Sequence, residues 1–239
     1  MKLSYILLFA LTAAIITTSC TQNGGSGNDH YKRVYKKSIS YGDYLTATDA
    51  MYDLWVNDTM NAPAYKDTLA NLYFLRGQYL QSAVLCKDVL SKHPGDLKLE
   101  ELLAAADQNI NNLNEALSLY QTIYQTTHDL FHLYQIAVIQ FNMSRVGECN
   151  QTLNLIISDT GSVHQRVQIT SGQNQVQYVP YKAAALNIHG VIAKGLNQND
   201  VAKKSFQDAL AIYPDFILAK NNLSGMGKPS TGTAATTTK

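Results

Sequence analysis

Two histidines are the first residues whose type and spacing could do chemistry. His128 and His132 stand four positions apart, and on a helix this spacing places both imidazoles on one face, where they could hold zinc or copper. No third ligand is evident beside them, and His128 falls in a predicted turn. We therefore predict that both histidines are structural, and we expect neither a bound metal nor a cofactor.

Other groups that could carry a reaction are also explained by structure. Glu100 and Glu101 fall at the start of a predicted helix, where carboxylates interact favourably with the helix dipole. The Gly-Gly-Ser-Gly run at 24–27 does not lie between a strand and a helix, as a phosphate-binding loop would. No serine, histidine and aspartate form a recognisable nucleophile motif. We predict that the chain is not an enzyme.

The N-terminus predicts export. MKLSYILLFALTAAIITTSC has a basic residue at Lys2, an apolar run at 3–16 and small residues before a cysteine, which is the order of a secretory signal peptide. The apolar run is shorter than the roughly 20 residues that a membrane-spanning helix needs. The Thr-Ser-Cys at 18–20 resembles the lipobox of bacterial lipoproteins, although Thr17 stands where leucine is preferred.

The lipobox resemblance implies that Cys20 is lipidated and becomes the mature N-terminus. Residues 1–19 are then a lipoprotein signal peptide and residues 20–30 a flexible polar tether. The chain would be exported and anchored by its lipid to the outer membrane, on either the periplasmic or the surface face. Ordinary secretion is the alternative, with Cys20 a free cysteine near the cleavage site. The low-complexity residues 225–239 are predicted to be a disordered tail.

Charge excludes one class of partner. The formal net charge is +1 and charged residues make up 15% of the chain, so no basic field suggests nucleic acid and no acidic tail suggests a basic ligand. The 15 tyrosines are amphipathic and suit a half-buried surface or a partner groove.

A period of about 34 residues runs through the chain. Ala70 precedes Ala104 by 34 residues, and Ala104 precedes Ala137 by 33. Ala137 precedes Gly190 by 53 residues, which is one period plus an insertion. Such self-similarity predicts an array of repeated units.

The units resemble those of the tetratricopeptide repeat family, which has small residues at repeat positions 8 and 20, a bulky one at 24 and proline at 32. Position 8 holds Ala70, Ala104, Ala137 and Gly190, position 20 holds Ser82, Ala116, Cys149 and Ala202, position 24 holds Cys86, Tyr120, Leu153 and Phe206, and position 32 holds Pro94 and Pro214. The resemblance implies that helices A and B of each unit pack closely at the small positions. Proline then ends helix B.

The resemblance therefore predicts an all-α solenoid of helical hairpins at 31–224. Its units lie near 41–60, 63–96, 97–129, 130–160 and 183–216, followed by a capping helix at 217–224. The first unit is predicted to be a lone helix B at Tyr41–Asn57, preceded by a short helix near Tyr31–Ser38. The insertion at 161–180 alternates apolar and polar residues on both sides of a turn-forming stretch, which predicts a β-hairpin.

The family places ligands on the concave face, which helix A lines. Carried over by repeat position, the candidate residues for partner binding are Asn71, Phe74, Gln108, Phe131, Tyr134, Phe141, Asn187 and Lys194. Two interpretations of the aromatic residues stay open, because the inserted hairpin could cover them or they could anchor a partner. The basic clamp that some relatives use for an acidic C-terminal tail is missing, since Asp67 stands where lysine would be expected.

The two remaining cysteines, Cys86 and Cys149, lie at different positions of units two repeats apart. Neighbouring hairpins hold such residues beyond the roughly 7 Å reach of a disulfide, so we predict two buried free thiols. The functional expectation is an adaptor or assembly factor that holds an envelope protein or peptide segment. The alternative is an accessory protein of an uptake system that binds a glycan or peptide.

Overall fold

The structure is a computed structural model that describes residues 24–171 and 175–226. Within these ranges the chain forms eleven α-helices and two β-strands. The predicted signal peptide, Cys20 and residues 227–239 of the predicted tail lie outside the described residues. The chain divides into two units, residues 1–62 and 63–239, which are described separately.

The first unit is a complete helical hairpin. Helix α1 spans Gly24–Ser40 and packs against α2, Tyr44–Asn57. The predicted helix near Tyr31–Ser38 lies within α1, and the predicted helix B at Tyr41–Asn57 corresponds to α2. Helix α1 is longer than predicted, because it begins at Gly24, inside the residues 20–30 predicted to be a flexible tether. Ser38 of α1 is buried, as are Ala47, Met51 and Leu54 of α2. Nothing in the glycine-rich composition of the first turn of α1 explains why the helix begins so early.

The second unit is a stack of helical hairpins with an inserted β-hairpin, which confirms the predicted fold class. The elements are α3 Ala62–Leu75, α4 Tyr79–Leu90, α5 Leu97–Asn109, α6 Leu113–Thr127, α7 Leu130–Asn142, α8 Val146–Ser158, β1 Arg166–Ser171, β2 Gln175–Pro180, α9 Tyr181–Gly195, α10 Asn199–Ile212 and α11 Ile217–Ser224. Odd-numbered helices α3 to α9 are helices A of their repeats, and the even-numbered helices that follow them are helices B. None of the helices in the described ranges is both long and apolar enough to cross a bilayer.

One turn geometry recurs between helix A and helix B. The second residue after each helix A has a positive φ: 72° at Gly77, 63° at Asn111, 57° at Ser144 and 59° at Asn197. After α5, the Asn112 amide donates to the Asp107 carbonyl, and equivalent bonds close the other turns. This is the Schellman arrangement, which satisfies carbonyls that the end of a helix leaves unpaired.

The helices A of two repeats begin at an aspartate cap. The carboxylate of Asp96 accepts from the Lys98 and Leu99 amides, and that of Asp129 accepts from the Phe131 amide. Such caps satisfy amides that the first helical turn cannot pair. Pro94 and Pro214 lie in the turns that follow helices α4 and α10, where proline prevents helix B from continuing.

The small residues of the repeat pattern lie where helices A and B approach each other. Ala70, Ala104, Ala137, Gly190, Ser82, Ala116, Cys149 and Ala202 are all buried. The bulky residues at position 24 are buried as well, with Tyr120 at 1% exposure and Phe206 at 0%. In the last full repeat the ring of Phe206 lies directly against the backbone of Gly190, where a Cβ would stand 2.5 Å from ring atom Cε1. Only glycine leaves room for this ring.

The inserted hairpin is an antiparallel pair in which Val167 faces Val179. Both valines are buried in the same cluster as residues of α7 and α9. On the other side of the hairpin, the side-chain nitrogen Nε2 of Gln177 donates to the Asp215 carbonyl at 2.7 Å. The side-chain oxygen Oε1 of the same residue accepts from the backbone amide of Ile217 at 3.0 Å. Because a two-stranded hairpin is marginal by itself, these contacts hold it against α9 and the start of α11.

Candidate functional site

The two histidines at 128 and 132 make different contacts. His128 ends α6 in a left-handed conformation and its ring packs against Tyr124 at 5.7 Å. His132 is buried on α7, where Nδ1 lies 3.0 Å from the Thr127 hydroxyl and Nε2 lies 3.6 Å from a carboxylate oxygen of Glu101. Among residues 24–171 and 175–226, no three His, Cys, Asp or Glu side chains are grouped as metal ligands would be.

Side-chain contacts connect successive helices A and so define a continuous surface. The Gln108 amide on α5 donates to Gln135 on α7 at 3.4 Å, and His132 on α7 approaches Glu101 on α5. On the next helix, α9, Tyr181 packs edge-on against Tyr134 at 5.6 Å. We call the surface formed by α3, α5, α7 and α9 the helix-A face.

Two of the predicted binding residues are not accessible on the helix-A face. Tyr134 is 8% exposed and lies in one cluster with Tyr181 and the hairpin valines. Asn187 is 7% exposed, and its side-chain oxygen accepts from Asn222 on α11 at 2.9 Å. Both side chains are therefore buried, and their part in partner binding stays a prediction. In the case of Tyr134, the start of α9 brings Tyr181 against a position that the repeat pattern places on the face.

Four of the predicted residues keep exposed or partly exposed side chains. Asn71 is exposed on α3, Gln108 is half-buried on α5, Phe141 is 37% exposed at the end of α7, and Lys194 is exposed at the end of α9. This set is polar except for Phe141, so the one apolar group with an accessible surface is the ring on α7.

The remaining two aromatics are half-buried at repeat junctions. Phe131 contacts Tyr120 of the preceding helix B with ring centroids 6.4 Å apart. Phe74 contacts Tyr79 across its own hairpin turn at 5.2 Å. These rings are held by the array itself, and a partner would reach only their edges.

Charge on the helix-A face is greatest at its N-terminal end. Burial raises the pKa of Asp67 on α3, and the nearby carboxylate of Asp96 raises it further, while Lys98 acts in the opposite direction. Glu101 lies one turn beyond Lys98 on α5. This end of the face therefore presents mixed charges, in place of the lysine-rich clamp that would bind a terminal carboxylate.

The residues that fix the hairpin beside this face could not be predicted from the sequence. Tyr181 begins α9 directly after Pro180, and only that position at a helix start hinted at a packing role. Gln177 gave no signal, because its partners lie 38 and 40 residues further along the chain. Val176 and Tyr178 point away from the core, at 50% and 60% exposure, and form the outer surface of the hairpin.

Both cysteines of the second unit are free and buried. Burial raises the pKa of Cys86 to about 12 and that of Cys149 to about 11. Cys149 also donates to the Ala137 carbonyl at 3.3 Å. Because the thiolate is the reactive form, the folded chain should protect both groups from thiol reagents.

We expect the thiols of a chain carrying Cys20→Ser to react slowly with a disulfide reagent at about pH 8. Once the chain is denatured, two thiols per chain should react. The two thiols also make the stability of the fold depend on pH. Because folding raises both cysteine pKa values above the unfolded value, their contribution to the free energy of unfolding is complete below about pH 9 and is lost as pH rises towards 11 and 12. Thiol counting with and without urea measures the first effect, and urea titrations across that pH range measure the second. Fewer than two equivalents in urea would contradict the assignment of free thiols.

Solved structures with similar folds are tetratricopeptide repeat proteins. One from Parabacteroides merdae gives a TM-score of 0.65 at 13% identity, covering 84% of this chain and 73% of that chain. YrrB, described as a tetratricopeptide repeat protein with an unusual peptide-binding site, gives 0.61 at 14% identity, covering 84% and 97%. MamA from Desulfovibrio magneticus RS-1 gives 0.63 at 10% identity, covering 81% and 98%.

These comparisons define the class of fold. No protein-family model matches the sequence, and the comparison with curated proteins finds no match. The identities to the solved structures are low, so the similarity is one of fold. The chain has the tetratricopeptide repeat fold, as the spacing of its small residues predicted.

Proposed function

We propose that this chain is a lipid-anchored adaptor that holds a protein or peptide segment along its helix-A face in a bacterial cell envelope. The observation that carries the proposal is the series of helices A α5, α7 and α9, joined by side-chain contacts, on which the ring of Phe141 is 37% exposed. Aromatic side chains are enriched among the residues that anchor protein interfaces.

Two further observations support the proposal. The peptide-binding site for which YrrB is described belongs to a protein of the same fold. The predicted signal peptide and the cysteine at position 20 support the lipid anchor, because lipidation can hold a domain at a membrane without a spanning helix. The proposed role is one of binding, without bond chemistry and without nucleic acid.

The proposal is tested by crosslinking in intact cells, followed by capture of the tagged chain and identification of its neighbours. We expect a near-stoichiometric envelope protein that is lost from the Phe141→Ala variant. Leu155→Ala is the matched control, since Leu155 is a 56% exposed apolar residue of α8, a helix B. Metabolic labelling with palmitate tests the anchor, and Cys20→Ser should abolish the label.

Two outcomes would contradict the adaptor role. The first is that no protein is enriched over an unrelated lipoprotein treated in the same way. The second is that the Phe141→Ala variant captures the same neighbour with equal yield. In either case the helix-A face is not where a partner protein binds, and the soluble domain should next be screened against glycans and short peptides.

A further inference from the structure

Two clefts lie between successive helices B, on the side of the repeats opposite the helix-A face. The first, of about 350 Å³, lies between α6 and α8 with α7 as its floor. The second, of about 480 Å³, lies between α8 and α10 with α9 as its floor. Leu133 and Thr152 of the first cleft stand at the repeat positions of Leu186 and Ser205 in the second. The two clefts are therefore the same feature in consecutive repeats.

The second cleft differs from the first in its polar groups. His189 stands at the repeat position that Ile136 occupies in the first cleft. Helix α10 adds Asp200, Lys204 and Asp208, whereas the residues lining the first cleft include no charged side chain. The second cleft thus contains an imidazole and two carboxylates, which the first cleft lacks.

Hydrogen bonding fixes which nitrogen of His189 carries the proton when the ring is neutral. The Ser205 hydroxyl donates its one hydrogen to the Val201 carbonyl at 2.9 Å. At its 2.9 Å contact with His189 Nδ1, the same hydroxyl must therefore accept, so Nδ1 carries a hydrogen. The neutral ring is left with a lone pair on Nε2, which makes that nitrogen a hydrogen-bond acceptor.

The charges of the cleft are unbalanced. Lys204 contacts both oxygens of Asp208 at 3.0 Å, so these two residues neutralise each other along α10. Within the part of the chain that the structure describes, no cation lies within ion-pair distance of Asp200. An apolar lining that includes Leu186 and Ile157 is thus combined with two acceptors, the Asp200 carboxylate and His189 Nε2.

We propose that the cleft between α8 and α10 binds an arginine side chain of a partner segment in which arginine neighbours apolar residues. The guanidinium has a planar set of donors that can serve two acceptors together, whereas a lysine ammonium is a compact point charge. The aliphatic stem of an arginine can lie on apolar side chains while its charged end stays at the polar rim. This is a second binding surface, separate from the helix-A face.

The test uses the purified full chain and a short fluorescein-labelled peptide that alternates leucine and arginine. We expect a saturable rise in fluorescence anisotropy. Asp200→Asn should weaken the affinity by about fivefold or more, because it removes the charge that the arginine pairs with. His189→Ile should also weaken it, and it introduces the residue that the neighbouring repeat already holds at this position.

Glu115→Gln is the matched control, because Glu115 lies in the first turn of α6 as Asp200 lies in the first turn of α10, and it lines neither cleft. Its affinity should equal that of the wild type. A second peptide with citrulline in place of arginine keeps most of the donors without the charge, and it should bind more weakly. The proposal is overturned if the wild type shows no saturable binding, if Asp200→Asn binds as tightly as the wild type, or if the citrulline peptide binds equally well.

Discussion

Replacing Gly190 with alanine should destabilise the fold by about 1–3 kcal/mol, as overpacked cores typically do. The added Cβ would stand 2.5 Å, 2.7 Å and 2.9 Å from three ring atoms of Phe206. Phe206 is 0% exposed, so its ring cannot turn away into solvent. Alanine favours a helix over glycine by about 1 kcal/mol, and the steric term should exceed that gain. Urea unfolding measures the difference.

Two controls separate the clash from a general effect on α9. Gly195→Ala changes a glycine at the end of the same helix, where a Cβ meets nothing within 4 Å, and it should be neutral or slightly stabilising. Combining Gly190→Ala with Phe206→Leu gives the alanine and leucine pair that the preceding repeat has at Ala137 and Leu153. We expect the double variant to be more stable than the sum of the single changes by about 1 kcal/mol. Strict additivity would mean that the two residues do not clash.

Tyr134→Ala should cost about 3–5 kcal/mol of folding free energy, the range for truncating a large buried aromatic. The Tyr134 side chain is 8% exposed, packs edge-on against Tyr181 and belongs to the buried cluster that also contains Val167 and Val179. Its loss would leave a cavity in this cluster. Equilibrium unfolding in urea gives the size of the effect.

Tyr134→Phe keeps the ring and removes only the hydroxyl, so it should cost about 1 kcal/mol or less. If Tyr134→Ala unfolds at the same urea concentration as the wild type, the tyrosine is accessible and returns to the list of partner-binding residues. The distinction matters for any binding assay, because a loss of partner binding in Tyr134→Ala would report unfolding of the site. Phe141→Ala avoids this ambiguity.

The repeat pattern was readable in the sequence because it follows from local packing. Small residues such as Ala104 and Ala116 recur wherever helices A and B approach, and the structure buries both of them. The turn residues follow the same logic, since Gly77 and Asn111 both adopt the positive φ that ends helix A. Each of these requirements involves neighbours within one repeat, so a fixed period reveals it.

The sites that could not be predicted depend on contacts outside the repeat pattern. The family's binding positions place Tyr134 on the helix-A face, but the helix that follows the insertion brings Tyr181 against it. Asn187 is buried for a related reason, because α11 supplies Asn222 from 35 residues further on. The first helix differs again: a composition typical of linkers does not predict the α-helix that begins at Gly24.

The two hydrogen bonds of Gln177 have a consequence for cooperativity. In an array whose repeats touch only adjacent repeats, each unit can open with little effect on distant ones. Gln177 ties the inserted hairpin to the connection between α10 and α11, while the hairpin valines share a cluster with α7 and α9. Amide hydrogens from α9 to α11 should therefore exchange with solvent in a single sub-global opening. The insertion would thus couple the last helices of the array into one cooperative folding unit.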